Sequence, residues 1–362
     1  MCRIADHLQR SLAALLILAA LAVAAWLLIA PPDPAAVESV FVRGVYPRLL
    51  AVTVPLTQWT SWSLTEVLLA GLLVVGLRSV LLALVRWRRH TWSLARAIAH
   101  AGGTAATVSA LLYLAFIGSW GLLYLREPLE RRLAWPTAPA SDREVLELER
   151  ELAQQAQAAC TSIDHAVARA LEATIAGAVE AVTADLDRRR VLLPRRVKAV
   201  WPARLLAITG TTGITSPWLH EAQIDPALLP LEAPFVMAHE LAHVAGYASE
   251  AEANLIGYLA CWRTGAPAAQ YSALLALLPS AVASVPDDLK ATAVRELDPR
   301  VRDDLHRIAA RARQDQSALL AAASRTLYDA YLKQQGVPEG VHDYARVITL
   351  LLGYRRASRS RP

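Results

Sequence analysis

Cysteine is scarce in this chain of 362 residues: Cys2, Cys160 and Cys261 are the only three, and none forms a CxxC pair. A disulfide-rich scaffold is therefore excluded. Cys160 and Cys261 are left with two readings, one bridge in an oxidising compartment or two buried thiols. Equally missing is a stripe of lysine and arginine with interleaved aromatics. The arginines are scattered or flank apolar segments, so a net charge of +5 does not point to a nucleic-acid partner. There is no internal repeat, and no low-complexity tail beyond the basic run from Arg355 to Arg361.

What is abundant is apolar surface. Hydrophobic residues make up 55% of the chain and the mean hydropathy is positive, high for a wholly soluble protein. Most of the excess lies before residue 126. Residues 11–30 and 101–125 carry no charge, and 67–85 carry only Arg78. Each approaches the ~20 residues that cross a bilayer. The first run follows Arg3 and Arg10, as in a signal peptide. It is longer than a usual apolar signal core, however, and ends in Ala30-Pro31-Pro32-Asp33 without an A-x-A site, which favours a retained helix.

Arg86, Arg88, Arg89 and Arg96 follow the second span and place that loop in the cytoplasm. The N-terminus then lies inside as well. Residues 31–63 lie outside, with Trp59 and Trp62 at the interface, and so do residues 126–362. Arg126, Arg131 and Arg132 run against this order. The expectation is a lipid-embedded domain, 1–130, with spans at about 11–30, 67–85 and 101–125. A second domain, 140–362, follows on the outer face of the cytoplasmic membrane.

The break at Trp135-Pro136-Thr137-Ala138-Pro139 marks the boundary between them. Ser141 and Glu144 have capping-box spacing, and apolar residues recur at helical spacing from 145 to about 186, as one helix or a hairpin. Short β-type runs follow at 197–200 and 205–208, with a further candidate strand at 218–225. Pro226, Pro230 and Pro234 delay the next helix. After residue 250 the pattern is helical almost to the end. The fold class expected is mainly α: three apolar helices, then a mostly helical α+β domain with a small sheet.

One helical segment carries chemistry. His239 and His243 stand four apart in His239-Glu240-Leu241-Ala242-His243, so both imidazoles leave one helix face. Two neutral imidazoles so placed can take two corners of a zinc tetrahedron. Glu240 sits too close along the helix to chelate beside them, but it can take a proton from a metal-activated water. With nine histidines, this five-residue pattern arises by chance in roughly one such chain in a hundred. The competing reading is a helix whose histidines are merely hydrogen-bonded.

The next residues extend the pattern. Gly246 can end the helix in a left-handed turn. Ser249 can cap a second helix, with Glu252 completing a capping box. Glu250 is then free to point back as a third metal ligand. Asn254, one turn on, can hydrogen-bond a ligand imidazole. Against these stand the bland roles of a carboxylate favoured by the helix dipole and of an ordinary polar residue.

His239-Glu240-x-x-His243 with Glu250-x-x-x-Asn254 resembles the gluzincin peptidases, and most nearly the membrane peptidases that include the CAAX-processing enzymes. There the last residue is aspartate and the gap before the glutamate is longer. More closely, several stretches resemble the DUF3810 family of bacterial membrane proteins. They are Gly213-Ile214, Trp218-x-x-Glu221-Ala222, the histidine motif, Gly246-Tyr247, Glu250-x-Glu252-Ala253-Asn254 with Tyr258, Arg126, and Tyr344-x-Arg346-Val347. The resemblance implies three N-terminal spans and a zincin-like, minigluzincin-type domain holding one Zn2+.

In zincin-type peptidases a strand edge upstream of the metal helix binds extended substrate, and residues 214–224 are the candidate. Glu221 there is either a substrate-side or a structural carboxylate. His342, Tyr344 and Arg346 are candidate oxyanion donors. His165, His220 and His306 read as ordinary, and the Tyr328-x-x-Tyr331 pair as core. The expectation is a membrane-anchored zinc metallopeptidase acting on peptide or protein, with the bilayer as its other partner. The alternatives are a non-catalytic, zinc-stabilised sensor or assembly protein, and a zinc-free helical scaffold.

Overall fold

The computed structural model describes residues 2–136, 138–201, 205–314, 316–334 and 346–359. It is mainly helical, with one small sheet. Four helices are long and apolar enough to cross a membrane: Ser11–Ile29, Pro34–Gln58, Leu64–Arg88 and Leu94–Ser119. Three are the expected spans with shifted bounds. The last stops at Ser119 rather than 125, because Trp120 leaves helical geometry and Gly121–Leu125 tightens into a 3-10 turn. The first and third expected spans pack together, as do the second and third. Ser79 Oγ donates to Thr104 Oγ1 across the latter pair.

Pro34–Gln58 is a correction, since it falls within the stretch read as an outer connection. Its mean hydropathy is the lowest of the four. Val37–Val45 is π-helical and Tyr46–Gln58 is α-helical. One face is buried through Phe41, Val42, Tyr46, Leu50 and Val54, while Val40, Val52 and Leu56 stay exposed. Polar bonds tie it along its length to distant residues. Arg43 donates to the Asp187 carbonyl (3.1 Å), Tyr46 to the Val244 carbonyl (2.8 Å) and Gln58 to the Arg196 carbonyl (3.2 Å). The helix therefore lies along the later domain.

The core ignores the break at residues 135–139. Tyr46, Leu50, Trp120, Leu129 and Trp135 share one buried cluster with Leu148, Leu241, Leu274 and Leu351. Within that later part the stretch from 145 to 186 is neither one helix nor a paired hairpin: a short helix, His165–Ala170, intervenes, and the flanking helices pack on different partners. Asp142–Ala159 and Glu172–Asp187 are separate helices, the first with its Ser141/Glu144 capping box formed.

Strands β1 (Lys198–Ala199), β2 (Gly213–Thr215) and β3 (Ala222–Ile224) form a sheet in the order β1-β3-β2. The β1–β3 pair is parallel, and β2–β3 is antiparallel with Ile214 opposite Gln223. The run at 205–208 is helical instead, Leu205–Thr209. Leu206 and Ala207 are buried there, the segment packs on Ala318–Gln334, and Gly210 ends it at φ +77°. Of 218–225, only Ala222–Ile224 is strand. Cys160 and Cys261 are both free thiols.

Candidate metal centre

The motif helix spans Ala233–Val244 and starts with Pro234 in its first turn, where a missing N–H costs nothing. It stops as expected: Gly246 adopts φ +92°, and its N–H bonds the His243 carbonyl (2.8 Å). Ser249 then caps Glu250–Arg263 by accepting the Glu252 N–H. The two helices meet at Gly257, where an added Cβ would lie 3.2 Å from the His239 backbone nitrogen. That missing side chain lets the Glu250 helix close on the histidines.

His239 Nε2 lies 3.1 Å from His243 Nε2 and 3.2 Å from Glu250 Oε2, and His243 Nε2 lies 3.6 Å from Glu250 Oε2. All three potential ligand atoms fall within 4.8 Å of one another, the one such group among the described residues. His243 Nδ1 is 2.8 Å from the Tyr247 carbonyl. A carbonyl can only accept, so Nδ1 carries a proton and Nε2 is the ring atom that faces the group, with a lone pair to offer when the imidazole is neutral. His239 Nδ1 is buried with no hydrogen-bond partner among the described residues.

The electrostatics favour a positive charge at this point. Burial works against charge on His243, yet Glu250 pushes its pKa up to about 9. Burial opposes charge on Glu250 too, and the two imidazoles hold it well below the usual carboxylate range. Two nitrogen lone pairs and a carboxylate converging on one point fit a zinc ion.

Glu240 stands beside the trio without joining it. Burial raises its carboxyl pKa, offset in part by both histidines and Thr215. Thr215 Oγ1 on β2 lies 2.8 Å from Glu240 Oε2. Gly213, on the same strand, leaves room for Oε1: a Cβ there would come within 2.5 Å of it. The group opens into a cavity of about 1090 Å³ whose walls include Trp120, Tyr124, Ile214, Phe235, Leu275 and Val347.

Other expected residues fall elsewhere. Asn254 lines the cavity, but it holds neither imidazole, and the Tyr247 carbonyl takes that task for His243. Glu252 does not complete the capping box. Its Oε1 accepts the Leu129 N–H (2.7 Å) and its Oε2 faces Arg132 (3.5 Å). Glu221 is structural: it accepts from Ser63, Leu64, Thr65 and Lys198, capping the helix Leu64–Arg88 from the sheet. Arg346 bonds Ser249 Oγ (3.3 Å) and faces Glu130 (3.7 Å), bracing the start of the Glu250 helix. His342 and Tyr344 lie outside the described residues, as do the side chains of Tyr328 and Tyr331.

Behind the metal helix lies an ion network that sequence reading missed. Asp187 meets Arg126 (3.2 Å), Arg189 (3.2 Å) and Arg132. Arg126 also donates to the Gly246 carbonyl (2.8 Å), and Arg189 to that of Ala245 (3.0 Å). Arg126 and Arg132 are thus not free loop charges.

Fold and site together define a mainly helical protein with apolar N-terminal helices and a His–His–Glu cluster inside a cavity. The chain belongs to the DUF3810 family, described as a protein of unknown function, which it matches over residues 41–352. No curated protein and no solved structure matches it.

Proposed function

We propose that this protein is a membrane-anchored, zinc-dependent metallopeptidase of gluzincin type. His239, His243 and Glu250 bind the metal, and Glu240 acts as base. The observation that carries the reading is the convergence of three ligand atoms within 4.8 Å, with a buried carboxylate of raised pKa beside them. A purely structural site has no use for that carboxylate. Bound zinc would supply a Lewis acid for the scissile carbonyl and a water acidified toward pKa ~7.

The rest belongs to the chain. Glu240 takes the proton of the attacking water and passes it to the leaving amine, and its raised pKa suits both steps. Thr215 fixes one carboxylate oxygen and Gly213 leaves the other clear. Strand β2 lies at the sheet edge beside Glu240 and can receive an extended peptide backbone. The expected order of spans puts this site on the outer side of a bacterial cytoplasmic membrane.

The test uses the full chain, because Tyr46, Trp120 and Leu129 belong to the core around the site. Zinc content and casein proteolysis are measured for wild type, His239→Ala, Glu250→Gln, Glu252→Gln and Glu240→Gln. One zinc per chain is expected in wild type, Glu252→Gln and Glu240→Gln, with proteolysis lost in the last. Substoichiometric zinc in wild type sinks the metal reading. Proteolysis surviving Glu240→Gln sinks the mechanism, and zinc without proteolysis in wild type favours the sensor alternative.

A further inference from the structure

The loop between β2 and β3 is sunk against the last apolar helix. Trp218 Nε1 donates to the Leu112 carbonyl (3.1 Å), and Ser119 Oγ donates to the Pro217 carbonyl (2.7 Å). Leu112 precedes the helix end at Ser119 by roughly 10 Å of helix. The polar residues Arg96 and His100 occupy the opposite end of this helix, so its apolar stretch runs on to Ile117. A bilayer covering that stretch reaches the level of Trp218. Strand β2, which holds Glu240 through Thr215, leads directly into this loop.

Other contacts put the site at the same level. One residue past the helix, the Trp120 ring lies 6.3 Å from the His243 ring. On the far side of the sheet, the Trp201 N–H bonds Glu66 (2.8 Å) in the first turn of Leu64–Arg88. The Trp201 side chain is 77% exposed, and Trp59 and Trp62, just ahead of the same helix end, are exposed too. Exposed indoles at one helix end are the pattern of a headgroup-level belt.

The cavity adds a chemical preference. Trp120, Phe235, Leu275 and Ile308 form apolar walls, and neither lysine nor arginine lines it among the described residues. Its charged lining is acidic apart from the two histidines. Away from the proposed metal, an acidic substrate side chain would meet no lysine or arginine there, while an apolar one buries favourably.

From this we infer that the substrate is itself membrane-anchored, cut in an extended apolar stretch within a few residues of the lipid boundary. This inference rests on the peptidase reading above. Its test reconstitutes the zinc-loaded full chain in phosphatidylcholine vesicles. The probes are quenched-fluorescence peptides carrying one apolar cleavage segment on a polyleucine span. The spacer between span and segment is about three residues in one probe and about fifteen in the other, the latter reaching up to ~50 Å from the lipid. Both probes have a comparable membrane-bound concentration, so the comparison isolates position from mere anchoring.

The short-spacer probe should be cut at least tenfold faster, and placing aspartate at two segment positions should slow it at least tenfold. If the long-spacer probe is cut as fast or faster, the boundary position is refuted while the peptidase reading stands. If the aspartate probe is cut equally well, the apolar preference falls. If casein and all three probes survive zinc-loaded protein, the peptidase reading itself fails and takes this inference with it.

Discussion

Replacing Asp187 by Asn tests whether the metal helix is held from behind. The Asp187 residue is 4% exposed and is bracketed by Arg126, Arg132 and Arg189. Two of those guanidiniums continue to the Ala245 and Gly246 carbonyls, while Tyr46 holds that of Val244. These carbonyls carry the partial negative charge of a helix C-terminus. Burial works against charge on Asp187, but Arg132, Arg189 and Arg126 hold its carboxyl well below the usual range. Asparagine keeps the shape and removes the charge, leaving three buried cations facing only Glu38 and Glu252.

Removing one partner of a buried ion pair costs about 3–5 kcal/mol. For a folded part of over 200 residues, each kcal/mol moves Tm by about 2–4 °C, so a fall of roughly 6–20 °C is expected at pH 7. Because the folded-state pKa is depressed, this stability is fully present above the unfolded value of about 4 and is lost as pH falls toward the folded value. The gap between wild type and Asp187→Asn must therefore narrow in acid. Circular-dichroism melts of the full chain in detergent, at pH 7 and pH 3 and one fixed scan rate, read this directly. A Tm within about 2 °C of wild type at pH 7, or a gap that widens in acid, would refute the reasoning.

Three further perturbations separate the parts of the site. Glu221→Gln leaves the buried Lys198 ammonium without its counter-charge and should destabilise by about 3 kcal/mol or more, with zinc content unchanged. Burial opposes charge on Glu221, but Lys198 and Thr65 lower its pKa, so wild type should lose the same contribution as pH falls through the folded value; zinc loss in this variant at neutral pH would show a direct role at the site. Gly213→Ala forces a Cβ within 2.5 Å of Glu240 Oε1 and should cut hydrolysis about a hundredfold, the scale of an ångström displacement of a reacting group. Its zinc should stay bound, and a wild-type rate would count against Glu240 as base. Gly257→Val pushes the two ligand helices apart at His239 and should weaken zinc binding about tenfold or more, the scale of losing a ligand's support. Competition with a chelating dye measures this, and unchanged affinity would show that the close helix contact is not what sets the ligand geometry.

The legible part of the site was local. His239 and His243 share a face because they are four residues apart. The Gly246 turn, the Ser249 cap and the return of Glu250 all lie within eleven residues of His239. Caps, turns and helix faces obey short-range rules, so one chain suffices to read them. Residues 34–58 were harder. Their apolar and polar positions alternate too loosely to name a partner, and only packing against Val244, His220 and Asp187 shows what that helix covers. Leu205–Ile208 suits a strand or a helix equally by composition, and burial of Leu206 and Ala207 decided for the helix.

By itself the sequence determined the grouping of His239, His243 and Glu250, the adjacent carboxylate, three apolar helices and a mainly helical chain with a small sheet. Each of these depends on spacing along the backbone, where geometry follows from period. Tertiary structure alone decided how the trio is supported. Tyr247 rather than Asn254 orients His243, Gly213 and Thr215 position Glu240, and Arg126 caps the metal helix from 120 residues upstream. Those contacts join elements far apart in the chain, and no local period records which buried donor will meet which carbonyl once the core has closed.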